Sequence, residues 1–122
     1  MVEKVSREAE AKYLKYMKLR ETLAKILQEK AIAQGALEEV EALLGQLKEL
    51  SEDTELYKLT GYVLIKTKRE NILKELEEKK DDLEIKLKAL ESQEKKLRED
   101  IERLAEELKR MLGGAGVASV GG

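Results

Sequence analysis

Apolar residues recur at heptad spacing through both halves of this 122-residue chain, and nothing else in it so narrows the folds available. With Tyr16 set at position a, the a positions run Val2, Ala9, Tyr16, Leu23, Lys30, Leu37 and Leu44. The d positions run Val5, Lys12, Leu19, Ile26, Ala33, Val40 and Leu47, so twelve of these fourteen are apolar or Tyr. The second half repeats the pattern, with Leu73, Lys80, Leu87, Glu94, Ile101 and Leu108 at a. Its d positions are Leu76, Leu83, Leu90, Leu97, Leu104 and Met111, which makes ten of twelve apolar. Each stripe predicts a long helix that can bury its apolar face only against the other. There is no Pro to stop either helix. Gly35 and Gly45 fall at f and b, where each weakens the helix by ~1 kcal/mol without interrupting the seam.

The two arms are nearly equal, ~65–70 Å each at 1.5 Å per residue. A reversal between them predicts an intramolecular antiparallel pair in which facing residue numbers total about 120. Lys30 and Glu94 fall close together in that register; either they pair and fix the alignment, or both snorkel to water. Thr67-Lys68-Arg69-Glu70 reads as a capping box that opens the second helix, with Thr67 at the cap. Glu-to-Lys or Glu-to-Arg pairs at i,i+4, such as Glu75/Lys79 and Glu106/Arg110, support its exposed face. Gly113-Gly114 ends it.

Composition removes most chemistry. The chain has no His and no Cys, so imidazole acid–base catalysis, thiol nucleophiles and the usual zinc sites are absent. Its 26 acids are interleaved with 24 Lys and Arg, which reads as a solvated surface and not as a Mg²⁺ or Ca²⁺ site. No nucleophile–base pair or phosphate loop is visible, so neither an enzyme nor a cofactor is expected. Ser6, Ser51 and Ser119 read as a cap, a helix-end residue and a tail residue. Four Tyr are the only aromatics, which argues against a compact globular core. The opening MVEKVSREAE lacks a signal-like apolar core, and no run approaches ~18 apolar residues, so a soluble, unanchored, cytoplasmic protein is expected. A net charge of −2 argues against nucleic acid as the main partner.

The centre, residues 51–69, departs from the heptads. Leu56-Tyr57-Lys58-Leu59 and Val63-Leu64-Ile65-Lys66 are rich in strand formers, and Thr60-Gly61 supplies turn chemistry between them. A single β-hairpin follows, which is marginal by itself and whose open edges invite other strands. Leu43, Leu50 and Ile72, all at g, add apolar surface beside it. The expected organisation is a helix over 1–50, an oligomerisation hairpin over 51–69, a helix over 70–112 and a flexible Gly-rich tail over 113–122. The fold class is mainly α: a long antiparallel two-helix coiled coil with a central hairpin.

Two equal helices joined by this hairpin, with Tyr57, the turn Gly61 and the apolar strand Val63-Leu64-Ile65-Lys66-Thr67, resemble the β-type subunits of the prefoldin family of chaperones. The resemblance covers about residues 1–112; Tyr62 departs from it, since a smaller residue or Pro is expected after the turn glycine. A nineteen-residue connector is too short for the two hairpins of the α type. The resemblance implies an α₂β₄ hexamer in which the hairpins assemble into an oligomeric β-barrel platform, placing Leu56, Tyr57, Leu59, Gly61, Val63, Leu64 and Ile65 in the assembly. It also implies ATP-independent capture of unfolded client proteins at the coiled-coil tips and delivery to a group II chaperonin.

The residues near the termini are read separately. Val2 and Val5 continue the heptad opposite a tail too Gly-rich for a stable helix. Tyr13, Leu14 and Met17 lie off the seam, with Leu108, Met111 and Leu112 across from them. Together they form an adaptable apolar patch suited to promiscuous contact, which Val117 and Val120 of the tail can join. The alternative is that Val2 and Val5 fray, Leu108 and Met111 complete the seam, and the rest are scattered surface apolars. Two other functions stay open: a coiled-coil RNA-binding arm, which wants cations grouped on one face, and a plain structural oligomerisation module, which leaves the apolar hairpin unexplained.

Overall fold

The computed structural model describes residues 2–113, with side chains from Arg7 onward. Helix α1 (Val2–Glu49) and helix α2 (Arg69–Met111) flank strands β1 (Leu56–Thr60) and β2 (Val63–Thr67). The described chain divides into two compact units. Of the described residues, a terminal unit holds 2–29 and 90–113, and a hairpin unit holds 30–89.

In both units the heptad decides burial. Within the terminal unit, Ala9, Tyr16, Leu104 and Leu108 form a buried cluster, with Leu19, Ile101, Ala105 and Met111 packed against it. Lys12 Nζ donates to Glu107 Oε2 at 2.6 Å, which agrees with an antiparallel pairing whose residue numbers total about 120. In the hairpin unit Ala33, Leu37, Val40, Leu44, Leu47 and Leu87 are buried, and Leu73, Leu76 and Leu83 partly so. Every one of these positions except Ala105 is an a or d of the expected stripe. Helix α1 runs unbroken through Gly35 and Gly45 because both face water. Among the described residues no polar or charged side chain is buried.

The ends of the helices explain where regular structure stops. Gly113 takes φ 72° and closes α2, with the Leu112 amide donating to Leu108 O at 3.0 Å. The expected cap of α2 is displaced by one residue. Lys68 O accepts from the Asn71 and Ile72 amides at 3.1 and 3.2 Å, so Lys68 occupies the N-cap and not Thr67. The reason is tertiary: Thr67 pairs with Leu56 in the β ladder and is held extended.

The hairpin is a two-residue reversal with Thr60 paired to Val63, leaving Gly61 and Tyr62 as the loop. Gly61 has φ 61° and Tyr62 does not have a positive φ, the pattern of a type II′ turn with Gly at its first central position. Only the first loop residue must be glycine in such a turn, so Tyr62 is accommodated without strain. Among the described residues no helix is long and apolar enough to cross a membrane.

Candidate functional site

Two surfaces stand out, one in each unit. The first is the hairpin. Its register places Leu56/Thr67, Lys58/Ile65 and Thr60/Val63 on one face and Tyr57/Lys66 and Leu59/Leu64 on the other. Lys58 Nζ reaches Glu75 Oε2 of α2 at 2.7 Å, so the first face is the one turned toward the start of that helix. On the second face Glu55 accepts from Tyr57 OH at 3.0 Å and from Lys66 Nζ at 3.4 Å, leaving the centre to Leu59 and Leu64. These two leucines are 68% and 65% exposed. Tyr57, Tyr62, Val63 and Ile65 are exposed as well, while Leu56 alone is partly covered. Leu43 and Leu50 are exposed in the same unit, and Ile72 is partly buried. The sheet has only two strands, in the order β1-β2, so each strand also has an open hydrogen-bonding edge.

What holds this hairpin unit at its base is Arg69, a residue that sequence periodicity does not mark. Its guanidinium donates to Leu47 O and Leu50 O, both at 3.0 Å, and to Ser51 O at 2.5 Å. These carbonyls lie at and just past the end of α1; Leu47 O also accepts the Leu50 amide at 3.3 Å and Ser51 O the Thr54 amide at 3.1 Å, so the guanidinium is a second donor to those two. Ser51 contributes again by accepting the Asp53 amide at its hydroxyl, 3.1 Å, which starts the turn leading to β1.

The second surface lies in the terminal unit. Tyr13, Leu14, Met17 and Leu112 are exposed, with Tyr13 stacked on the buried Tyr16 at a ring separation of 6.4 Å. Leu108 is 3% exposed and completes the seam, and Met111 packs partly buried against the same cluster. The six residues are therefore split between an outer set of four and an inner pair that supports it. Val2 and Val5 lie in α1 with side chains outside the described residues, and Val117 and Val120 of the tail lie outside the described residues altogether.

The Lys12–Glu107 pair beside this surface holds the Glu107 carboxyl below its ordinary value of 4.5, first through the hydrogen bond and then through the lysine charge. A carboxyl whose folded value is depressed stabilises fully above its unfolded value, and that contribution fades as pH falls through the folded one. Glu107→Gln is accordingly expected to melt slightly below the wild type at neutral pH. The two melting temperatures should converge once pH drops well under 4.5. A gap that persists in acid would assign the loss to packing.

The two units define a hairpin-linked antiparallel coiled-coil protein. Such a description fits more than one lineage, and the comparisons with known proteins select among them. The sequence profile of the prefoldin subunit family matches residues 10–115, and the chain belongs to that family. It is 34% identical over 86 residues to a prefoldin subunit beta of Sulfolobus acidocaldarius, covering 70% of this chain and 69% of that one. A prefoldin subunit beta of Sulfurisphaera tokodaii is similar to the same extent. Among solved structures, the prefoldin beta subunit from Thermococcus strain KS-1 superposes with a TM-score of 0.79 at 31% identity, over 84% of this chain and 90% of that chain. The beta2 subunit from the same strain gives 0.67 at 15% identity, a likeness of fold alone.

Proposed function

We propose that this chain is the β-type subunit of a cytoplasmic, ATP-independent chaperone, joined through its hairpin to α-type subunits in an α₂β₄ hexamer. Strands from six chains close into a barrel platform, which satisfies edges that a lone hairpin leaves open. The terminal unit captures non-native polypeptides and passes them to a group II chaperonin. The observation that supports this most directly is the hairpin, an apolar strand pair exposed on both faces in a protein whose helices turn their apolar seams toward each other. Family membership supplies the chaperone class, and the exposed set Tyr13, Leu14, Met17 and Leu112 supplies a contact surface of adaptable side chains. Several such weak surfaces in one assembly raise avidity without any tight single site.

The test is a quadruple replacement of Tyr13, Leu14, Met17 and Leu112 by Ser. Because all four are exposed, the seam and the assembly are expected to persist, checked by circular dichroism and light scattering. Suppression of aggregation of a chemically denatured client should fall at least about fivefold, as several contacts of up to ~1 kcal/mol are lost together. Undiminished protection by an intact assembly would remove these residues from client capture.

A further inference from the structure

One stretch of α1 in the terminal unit carries cations and no acid, although acids lie on either side of it and on α2. Between Ala11 and Arg20 the chain has four cations, Lys12, Lys15, Lys18 and Arg20, and no acid. This is not the general habit of α1, since its stretch from Ala31 to Glu49 holds four acids and only Lys48. Lys12 is engaged by Glu107. Arg20 lies over the Tyr16 ring, 5.7 Å from its centroid, which orients the guanidinium without neutralising it. Lys15 and Lys18 make no ion pair among the described residues, although Glu10 and Glu21 bracket the segment.

Helical spacing mixes these cations with the exposed apolar side chains. Leu14 and Lys18 are four residues apart, Met17 and Arg20 three, and Lys15 and Lys18 three, so each pair shares a face. A segment bound against Tyr13, Leu14 and Met17 therefore meets Lys15, Lys18 and Arg20 within two helical turns. We propose that this surface prefers non-native polypeptide segments in which apolar residues alternate with Asp and Glu, over equally apolar segments carrying Lys or Arg. The proposal rests on the client-capture reading above and adds the charge of the client to it. Three cations within two helical turns reach too few phosphates to favour a nucleic acid, whose affinity grows with each phosphate neutralised.

The test uses the full-length chain as it assembles and three labelled, unstructured peptides of identical Leu, Tyr and Met content, spaced by Asp, by Ser or by Lys. In fluorescence anisotropy at low salt the Asp peptide is expected to bind about fivefold tighter than the Ser peptide, and the Lys peptide weaker than either, the size of two or three exposed ion pairs. Added salt should erase most of that spread, because exposed charges are screened. The double variant Lys15→Gln/Lys18→Gln should bring the Asp and Lys peptides within about twofold of each other while leaving the Ser peptide's affinity unchanged. Equal binding of the Asp and Lys peptides to the wild type overturns the charge preference while the capture reading stands. Failure of the Ser peptide to bind, or indifference of its binding to Leu14→Ser/Met17→Ser, overturns both. Tighter binding of a single-stranded oligonucleotide than of the Asp peptide also overturns the proposal, in favour of a nucleic-acid surface.

Discussion

Replacing Leu59 and Leu64 together by Asp is expected to leave a helical chain that no longer assembles. The two face each other across the ladder at the centre of the hairpin's outer face, and each is about two-thirds exposed in the single chain. Burying them in an interface contributes ~1.5–3 kcal/mol apiece, or ~3–6 kcal/mol per chain. Aspartate at the same places forfeits that gain and adds the cost of desolvating two carboxylates. A loss at the upper end of this range weakens association by about four orders of magnitude. Light scattering should then report the mass of one chain, 13.9 kDa. Helicity should stay near the wild-type level, because neither residue touches the heptad seam. A variant that keeps the wild-type mass would shift the assembly contact to the other sheet face or to the strand edges. A wild-type chain that remains a monomer, alone and with α-type partners, would overturn the assembly reading altogether.

Arg69→Ala is expected to lower stability by about 2 kcal/mol, a shift of roughly 5–10 °C in melting temperature. The arginine supplies three charge-assisted hydrogen bonds to carbonyls of the α1 terminus. Such bonds contribute ~1.5–3 kcal/mol each when shielded, and a cation at a helix C-terminus adds ~0.3–1 kcal/mol. Two considerations reduce the total. Two of the three bonds are exposed, and the buried Nε has no partner among the described residues, which offsets part of the gain. Arg69→Lys should recover less than half of the loss, since one ammonium cannot span the fork that the guanidinium bridges. Melting of the full-length chain measures both variants. An unchanged midpoint for Arg69→Ala would show that water satisfies those carbonyls equally well.

If the clamp matters as expected, its effect should reach the hairpin. Arg69 and Thr67 sit two residues apart at the point where β2 becomes α2, and Ser51 marks the corresponding exit from α1. Fixing the two chain crossings at once limits the angles at which the strand pair can leave the helices. The assembly proposed above would depend on that angle, so Arg69→Ala is a variant in which stability and assembly are worth measuring together.

How far the sequence could be read differs between these sites. Hydrophobic spacing placed both helices and the seam from Ala9 to Leu47 and from Leu73 to Met111, and strand-forming residues around a turn glycine placed the hairpin between them. Those features depend on which side chains avoid water, and side-chain type is what a sequence records. The strand-forming run and the turn glycine likewise marked Gly61 as the reversal. The type II′ turn emerged only from the fold, because it depends on the sign of φ at Tyr62.

Other features were decided by tertiary structure. Leu108 and Met111 could be read from the sequence either as part of a tip patch or as completing the seam; in the fold the first is buried, the second partly covered and the off-seam Leu112 exposed. Thr67 has the residue type and spacing of a cap, but pairing with Leu56 claims its backbone for the ladder. Arg69 gives no signal at all, since its partners are main-chain carbonyls that every residue possesses. Periodicity determined which faces meet; only the folded chain brought three main-chain carbonyls within reach of a single arginine.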